Sequence, residues 1–180
     1  MLTKALSENG AEKIYIAGRR TQVLEDAARD IGPNAVPITC DVTSPESLRE
    51  AVATVEREVG YLNLLVCNSG IGGPQVTQPE STTTVEEWSA QHLAHDFSDY
   101  LRVFSVNTAA VWYTAMSFLP LLDSGNKKGN VVQTSQVIVI SSIAGYNKKA
   151  PGGWAYCQSK AAANLIAKQL AVALPRWNMR

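Results

Sequence analysis

The sequence lacks a net charge: sixteen Lys and Arg balance sixteen Asp and Glu over 180 residues. Without a basic or acidic excess there is no electrostatic case for nucleic acid or an anionic membrane as partner. Cysteine is scarce. Cys40, Cys67 and Cys157 are odd in number, widely spaced and free of any Cys-x-x-Cys pair, which argues against a disulfide framework and fits a reducing compartment. No apolar run approaches the roughly eighteen residues of a membrane span, and MLTKALSENGAEK at the start holds no apolar signal core. A soluble, cytoplasmic protein is expected. Histidine is limited to His92 and His95, which with Asp96 sit on a polar helical stretch; nothing else closes a coordination set, so no metal is expected. Nor does any Gly-x-Gly-x-x-Gly or Gly-x-x-x-Gly-x-Gly occur, so the glycine-rich turn that cradles phosphates has no counterpart in these residues.

What is present suffices for one substantial core. With 46% hydrophobic residues in 180, residues 1–180 are expected to form a single domain. Residues 1–8 read as the back part of a helix stopped by Asn9-Gly10. Strands are expected at 13–17, 35–39, 62–67 and 137–140, where β-branched and apolar residues cluster. Between them, helices are expected from a Thr21 cap to Ile31, from Ser44-Pro45-Glu46 to Val59, over residues 98–122, and over 154–174. Loops are expected at 71–84 and 123–135, both rich in Gly and polar residues. Strands alternating with helices predict parallel α/β layers with right-handed crossovers. The last helix is apolar nearly all round, which predicts burial on two sides, one against the sheet.

The chemistry concentrates in VIVISSIAGYNKKAPGGWAYCQSK, residues 137–160. Tyr156 and Lys160 are four apart, so a helix stacks them on one face, and an ammonium there favours the phenolate of a group whose unperturbed pKa is about 10. Ser142, at the carboxyl end of the preceding strand, is placed to hold a carbonyl oxygen. Strand-Ser-Ser-x-Ala-Gly, a short loop and Tyr-x-x-x-Lys-Ala-Ala together resemble the active-site segment of the classical short-chain dehydrogenases/reductases. The resemblance implies Tyr156 as proton donor or acceptor, Lys160 as the group that lowers its pKa and binds the nicotinamide ribose, and Ser142 as the carbonyl-orienting hydroxyl. Ser141 then ends the strand. Asn107 matches the helix Asn of the family's proton relay, although a mid-helix Asn often bonds its own backbone instead.

Further residues match the family's cofactor positions. Arg19 and Arg20 follow the strand at 13–17 where such a fold reads the adenosine ribose, and with no acid there they point to NADP rather than NAD; a solvated basic turn is the plainer alternative. Asp41-Val42 matches the adenine-contacting pair, although a strand-end Asp is also commonly held by neighbouring backbone N–H groups. Asn68 and Gly70 stand where the family carries Asn-Asn-Ala-Gly, with Cys67 and Ser69 in place of the first Asn and the Ala. The implied fold is a doubly wound, Rossmann-like parallel sheet of order 3-2-1-4-5, incomplete here, because the family's first strand with its glycine-rich turn and its C-terminal strands have no match. The implied activity is NADP(H)-dependent interconversion of a ketone and a secondary alcohol on a small-molecule substrate, in a homo-oligomer joined through the long helices. The alternative is a catalytically silent remnant or an interaction module that pairs with full-length relatives. Cofactor binding by the purified chain separates the two.

Overall fold

The computed structural model describes residues 2–180. The elements are α1 (Leu2–Glu8), β1 (Ile14–Gly18), α2 (Thr21–Ile31), β2 (Ala35–Thr39), α3 (Pro45–Glu58), β3 (Leu64–Cys67), α4 (Val85–Leu93), α5 (Phe97–Phe104), α6 (Ala110–Lys128), β4 (Gln136–Val139) and α7 (Trp154–Ala173). The first helix appears where expected, with Met1 of that expectation outside the described residues. Helix α3 starts as its sequence predicts: the Ser44 hydroxyl accepts from the Ser47 N–H at 3.2 Å, Pro45 occupies the first turn, and Glu46 faces the positive helix end. Helix α2 starts differently. Thr21 is its first helical residue, not its cap, because the Thr21 hydroxyl is engaged by Thr39 on β2 at 2.8 Å.

The expected helix over 98–122 is longer and interrupted. Helices α5 and α6 are joined by a π-helical turn, Ser105–Ala109, and α6 continues to Lys128, through residues expected to be loop. Two features carry it onward. Lys127 pairs with Asp123 at 2.5 Å, and buried Gly125 lets the helix press against the Leu62 carbonyl where a Cβ would come within 2.1 Å. Gly129, at φ 61°, then ends the helix in the left-handed conformation that glycine tolerates.

The sheet is parallel but divided. β1 pairs with β2, from Ile14↔Ala35 to Gly18↔Thr39, and β3 pairs with β4, from Leu64↔Gln136 to Cys67↔Val139. The two pairs do not hydrogen-bond to each other. A cavity of about 1010 Å³ lies between them, lined by Tyr15, Ala17, Leu64, Val66, Val55 and Phe118 among others. The incomplete doubly wound sheet thus takes the form of two half-sheets. Leu48, Ala51 and Val55 of α3, Val111, Ala115, Phe118 and Leu122 of α6, and Ile166 and Leu170 of α7 form one core with Leu65 and Cys67. Within this chain helix α7 covers Ala163, Ile166 and Leu170, while Leu165 and Val172 are 56% and 85% exposed.

Candidate active site

Within each parallel pair the strands end on the same side, and the residues singled out from the sequence follow those ends: Arg19 after β1, Asp41 after β2, Asn68 and Gly70 after β3, Ser142 after β4. In open parallel sheets the carboxyl ends of the strands are where ligands bind, because helix N-termini and unpaired loop N–H groups converge there.

Beyond β4, the chain turns at Ser142 into a short 3₁₀ turn, Ile143–Gly145. The Ser142 hydroxyl accepts from the Ala144 N–H at 3.1 Å, which leaves its own proton available to a carbonyl oxygen. Ser141 instead donates to the Lys160 carbonyl at 3.2 Å, tying the strand end to α7. Gly145 makes that approach possible, since a Cβ there would lie 2.8 Å from the Lys160 carbonyl carbon. Helix α7 then follows two left-handed glycines, Gly152 at φ 87° and Gly153 at φ 98°.

On α7 the expected stacking is present. Lys160 Nζ lies 5.9 Å from the Tyr156 ring centroid and donates to the Ile140 carbonyl at 2.8 Å. Lys160 is only 4% exposed, and this burial lowers its pKa from the ordinary lysine value, because desolvation disfavours the ammonium. Asn107 is fully buried in the π-helical turn. Its Oδ1 accepts from the Ile71 N–H at 2.8 Å, and its Nδ2 donates to the Ile71 carbonyl at 2.9 Å and to Ser159 Oγ at 3.0 Å. Asn107 therefore bonds outward from its helix. Ser159, which the motif reading passed over, donates in turn to the Tyr156 carbonyl at 2.7 Å. Its position three residues after Tyr156 was the available signal. Gly70 closes the group: a Cβ there would stand 3.4 Å from both Asn107 Oδ1 and Lys160 Nζ.

The structure thus brings Asn107, Tyr156, Lys160 and Gly70 together, with Ser142 next to Ser141, whose hydroxyl ties the strand end to the same helix. Arg19, Arg20, Asp41 and Val42 belong to the other half-sheet. Arg19 and Arg20 are exposed, and Arg20 is the N-terminal cap residue of α2. Asp41 accepts from the Thr43 hydroxyl and N–H at 2.6 and 2.9 Å, bonds that hold its carboxyl below the usual range with a smaller contribution from Arg19. Val42 and Asn68 both line the central cavity. His92 is drawn into an aromatic cluster, its ring 4.8 Å from Trp88 and 5.7 Å from Trp154. Among the described residues no three His, Cys, Asp or Glu side chains gather as a metal would require, and no helix is long and apolar enough to cross a membrane.

Parallel α/β layers with Ser142, Tyr156, Lys160 and Asn107 beside the carboxyl ends of β3 and β4 place the molecule among the Rossmann-like folds. The short chain dehydrogenase family model matches residues 1–180, and the chain belongs to that family. It is 42% identical over 182 residues to the short-chain dehydrogenase/reductase PhomF' of Diaporthe leptostromiformis, covering 100% of this chain and 62% of that protein. In structure it resembles a short-chain type dehydrogenase/reductase from Mycobacterium marinum, with a TM-score of 0.80 and 26% identity over 99% of this chain and 63% of the other. It also resembles an NADPH-bound carbonyl reductase from chicken fatty liver, with a TM-score of 0.71 and 25% identity over 93% of this chain and 65% of the other. The chain therefore spans under two thirds of the length of these relatives.

Proposed function

We propose that this chain carries the catalytic segment of an NADP(H)-dependent enzyme that interconverts a ketone and a secondary alcohol. The observation that supports this reading best is the gathering of Tyr156, buried Lys160 and buried Asn107 on one rim, beside a serine hydroxyl with a free proton. Bound NADP(H) supplies or accepts the hydride. Ser142 donates a hydrogen bond to the carbonyl oxygen, and Tyr156 gives that oxygen a proton as hydride reaches the carbon. Lys160, whose Nζ packs against Gly70 beside Asn107, would pass a proton from solvent back to Tyr156, and Asn107 would help to order the path by which that proton arrives. Arg19 and Arg20 are the residues suited to a 2′-phosphate, since guanidinium pairs with phosphate through two parallel bonds. Asp41, Val42, Asn68 and Gly70 are proposed to line the adenine and ribose side. The exposed Leu165 and Val172 of α7 and Phe97 and Leu101 of α5 are proposed as the surface that joins subunits.

The cofactor reading is tested by Arg19→Asp in a chimera carrying the flanking segments of a fungal relative. A carboxylate repels the 2′-phosphate and suits a free 2′-hydroxyl. The lost charge-assisted bond corresponds to about 1.5–3 kcal/mol, or a roughly ten- to hundred-fold shift in the ratio of kcat/KM for NADPH over NADH. An unchanged ratio removes Arg19 from this role.

A further inference from the structure

The turn that launches α7 is sharply bent, and part of what holds it comes from far away in the sequence. Ala150, Gly152 and Gly153 have left-handed φ angles of 46°, 87° and 98°, with Pro151 between them. Glycine tolerates that region and alanine does not, so Ala150 is strained. Carbonyls in so bent a segment cannot join a regular ladder and must find partners one by one. Those of residues 149–153 all do. The Gly153 N–H donates to the Ala150 carbonyl at 3.1 Å, the Cys157 N–H to the Gly153 carbonyl at 3.1 Å, and the Cys157 thiol to the Pro151 carbonyl at 3.3 Å. Side chains from the segment at 71–84 take the other two. Gln75 Nε2 donates to the Gly152 carbonyl at 2.9 Å, and Gln78 Nε2 to the Lys149 carbonyl at 2.7 Å. Gln75 Nε2 also donates to the Gly73 carbonyl at 3.0 Å, so one amide pins both segments.

Packing brings the two segments together as closely as the hydrogen bonds do. A Cβ on Gly153 would lie 2.7 Å from the Pro74 carbonyl oxygen, and one on Gly73 would lie 3.3 Å from the Ala155 Cβ. Trp154, the first residue of α7, meets Trp88 of α4 edge to face with centroids 5.6 Å apart. The turn matters because of what it touches. A Cβ on Gly152 would lie 3.3 Å from Tyr156 Cδ1, so the Gly152 backbone backs the Tyr156 ring. The residue behind the phenol is thus the one whose carbonyl Gln75 holds. Both glutamines are exposed, so losing either amide leaves the core intact. We propose that Gln75 and Gln78 are positioning residues for Tyr156: their amides hold the turn at 149–153 in the bent form that sets the phenol toward the substrate. This rests on the reading of Tyr156 as the general acid.

The test replaces both glutamines by Met, which keeps their length and removes the donors, and takes two readings. In the 180-residue chain, amide exchange at Gly153 and Cys157 is expected to quicken by at least about tenfold, while Ala163 and Leu170 deeper in α7 are unchanged. In the chimera carrying a fungal relative's flanking segments, kcat is expected to fall about ten- to hundred-fold, since a displacement of about 1 Å can lose 10²-fold, with the dissociation constant for NADPH unchanged within a few-fold. Arg in place of each glutamine keeps an N–H at the same distance along the side chain and is expected to restore kcat to within a few-fold of the parent. If the double variant does not fold, the single Gln75→Met variant gives the same two readings. Unchanged exchange at Gly153 and Cys157 overturns the proposal, as does quickened exchange with undiminished kcat, or a loss of kcat matched by an equal loss of NADPH affinity. Undiminished turnover in Tyr156→Phe would instead refute the reading of Tyr156 as the acid, a failure that the exchange at Gly153 and Cys157 does not share.

Discussion

Substituting Gly125 by Ala offers a sharp test of the packing, because local and tertiary effects have opposite signs. In the interior of an exposed helix, Gly→Ala stabilises by about 0.8–1 kcal/mol through helix propensity. Here the new methyl would lie 2.1 Å from the Leu62 carbonyl oxygen, 2.8 Å from its carbon and 2.9 Å from Ser135 Oγ. Two of those atoms are backbone, and Ser135 is 1% exposed, so α6 must move away. Overpacking of this kind costs about 1–3 kcal/mol. The displacement also strains the Leu62 N–H bond to the Leu121 carbonyl, at 2.8 Å, and the Ser135 hydroxyl bond to the Leu62 carbonyl, at 3.3 Å. Each is worth about 0.5–1.5 kcal/mol. After subtracting the propensity gain, the expected loss is about 1–5 kcal/mol. Urea unfolding followed by circular dichroism reads it as a lower midpoint with unchanged slope. Gly72→Ala is the control, since a Cβ there meets nothing within 4 Å, and its effect is expected within about 0.5 kcal/mol. A Gly125→Ala variant as stable as its parent would refute this account of α6 docking.

Two further outcomes follow from burial. The Lys160 ammonium has a lowered pKa because it is desolvated, so between that lowered value and the unfolded value of 10.5 the unfolded chain holds a proton that the folded chain has released. Stability of the parent relative to Lys160→Met therefore rises with pH across that alkaline window, and paired urea titrations at about pH 7 and about pH 10 should show it; a pH-independent difference would count against a buried lysine. Burial also pushes the Cys67 thiol up to about 12, and Cys40 and Cys157 are raised for the same reason. All three are expected to resist iodoacetamide in the native chain and to react once it is unfolded, and rapid native alkylation of Cys67 would contradict its position beneath α6.

Much of this architecture is legible in the residues. The run Ala35–Thr39 forms β2 with the expected bounds, and Ser44-Pro45-Glu46 starts α3 because cap, proline and acid agree on one position. The same-face placement of Tyr156 and Lys160 follows from helical spacing alone. The misreadings share one cause, contacts between residues distant in sequence. Gly125 and Lys127-Lys128-Gly129 look like a loop by composition, but the helix continues because the absent side chain at Gly125 admits the Leu62 carbonyl. Thr21 has the chemistry of a cap, yet Thr39 claims its hydroxyl from the neighbouring strand. The π-helical turn leaves no mark on the apolar periodicity; it coincides with Asn107 reaching across to Ile71 and Ser159. Ser159 was overlooked because its hydroxyl serves a backbone carbonyl rather than the solvent-facing rim.

The central claim is that Tyr156 is the general acid for a ketone at this rim. Its most direct test is Tyr156→Phe in a chimera completed with a fungal relative's flanking segments, comparing ketone-dependent NADPH oxidation with NADPH affinity by calorimetry. Removing a positioned acid lowers turnover by about 10²–10⁴-fold, so the account predicts a loss in that range with the dissociation constant for NADPH unchanged within a few-fold. Turnover within a few-fold of the parent, at equal NADPH affinity, would contradict it.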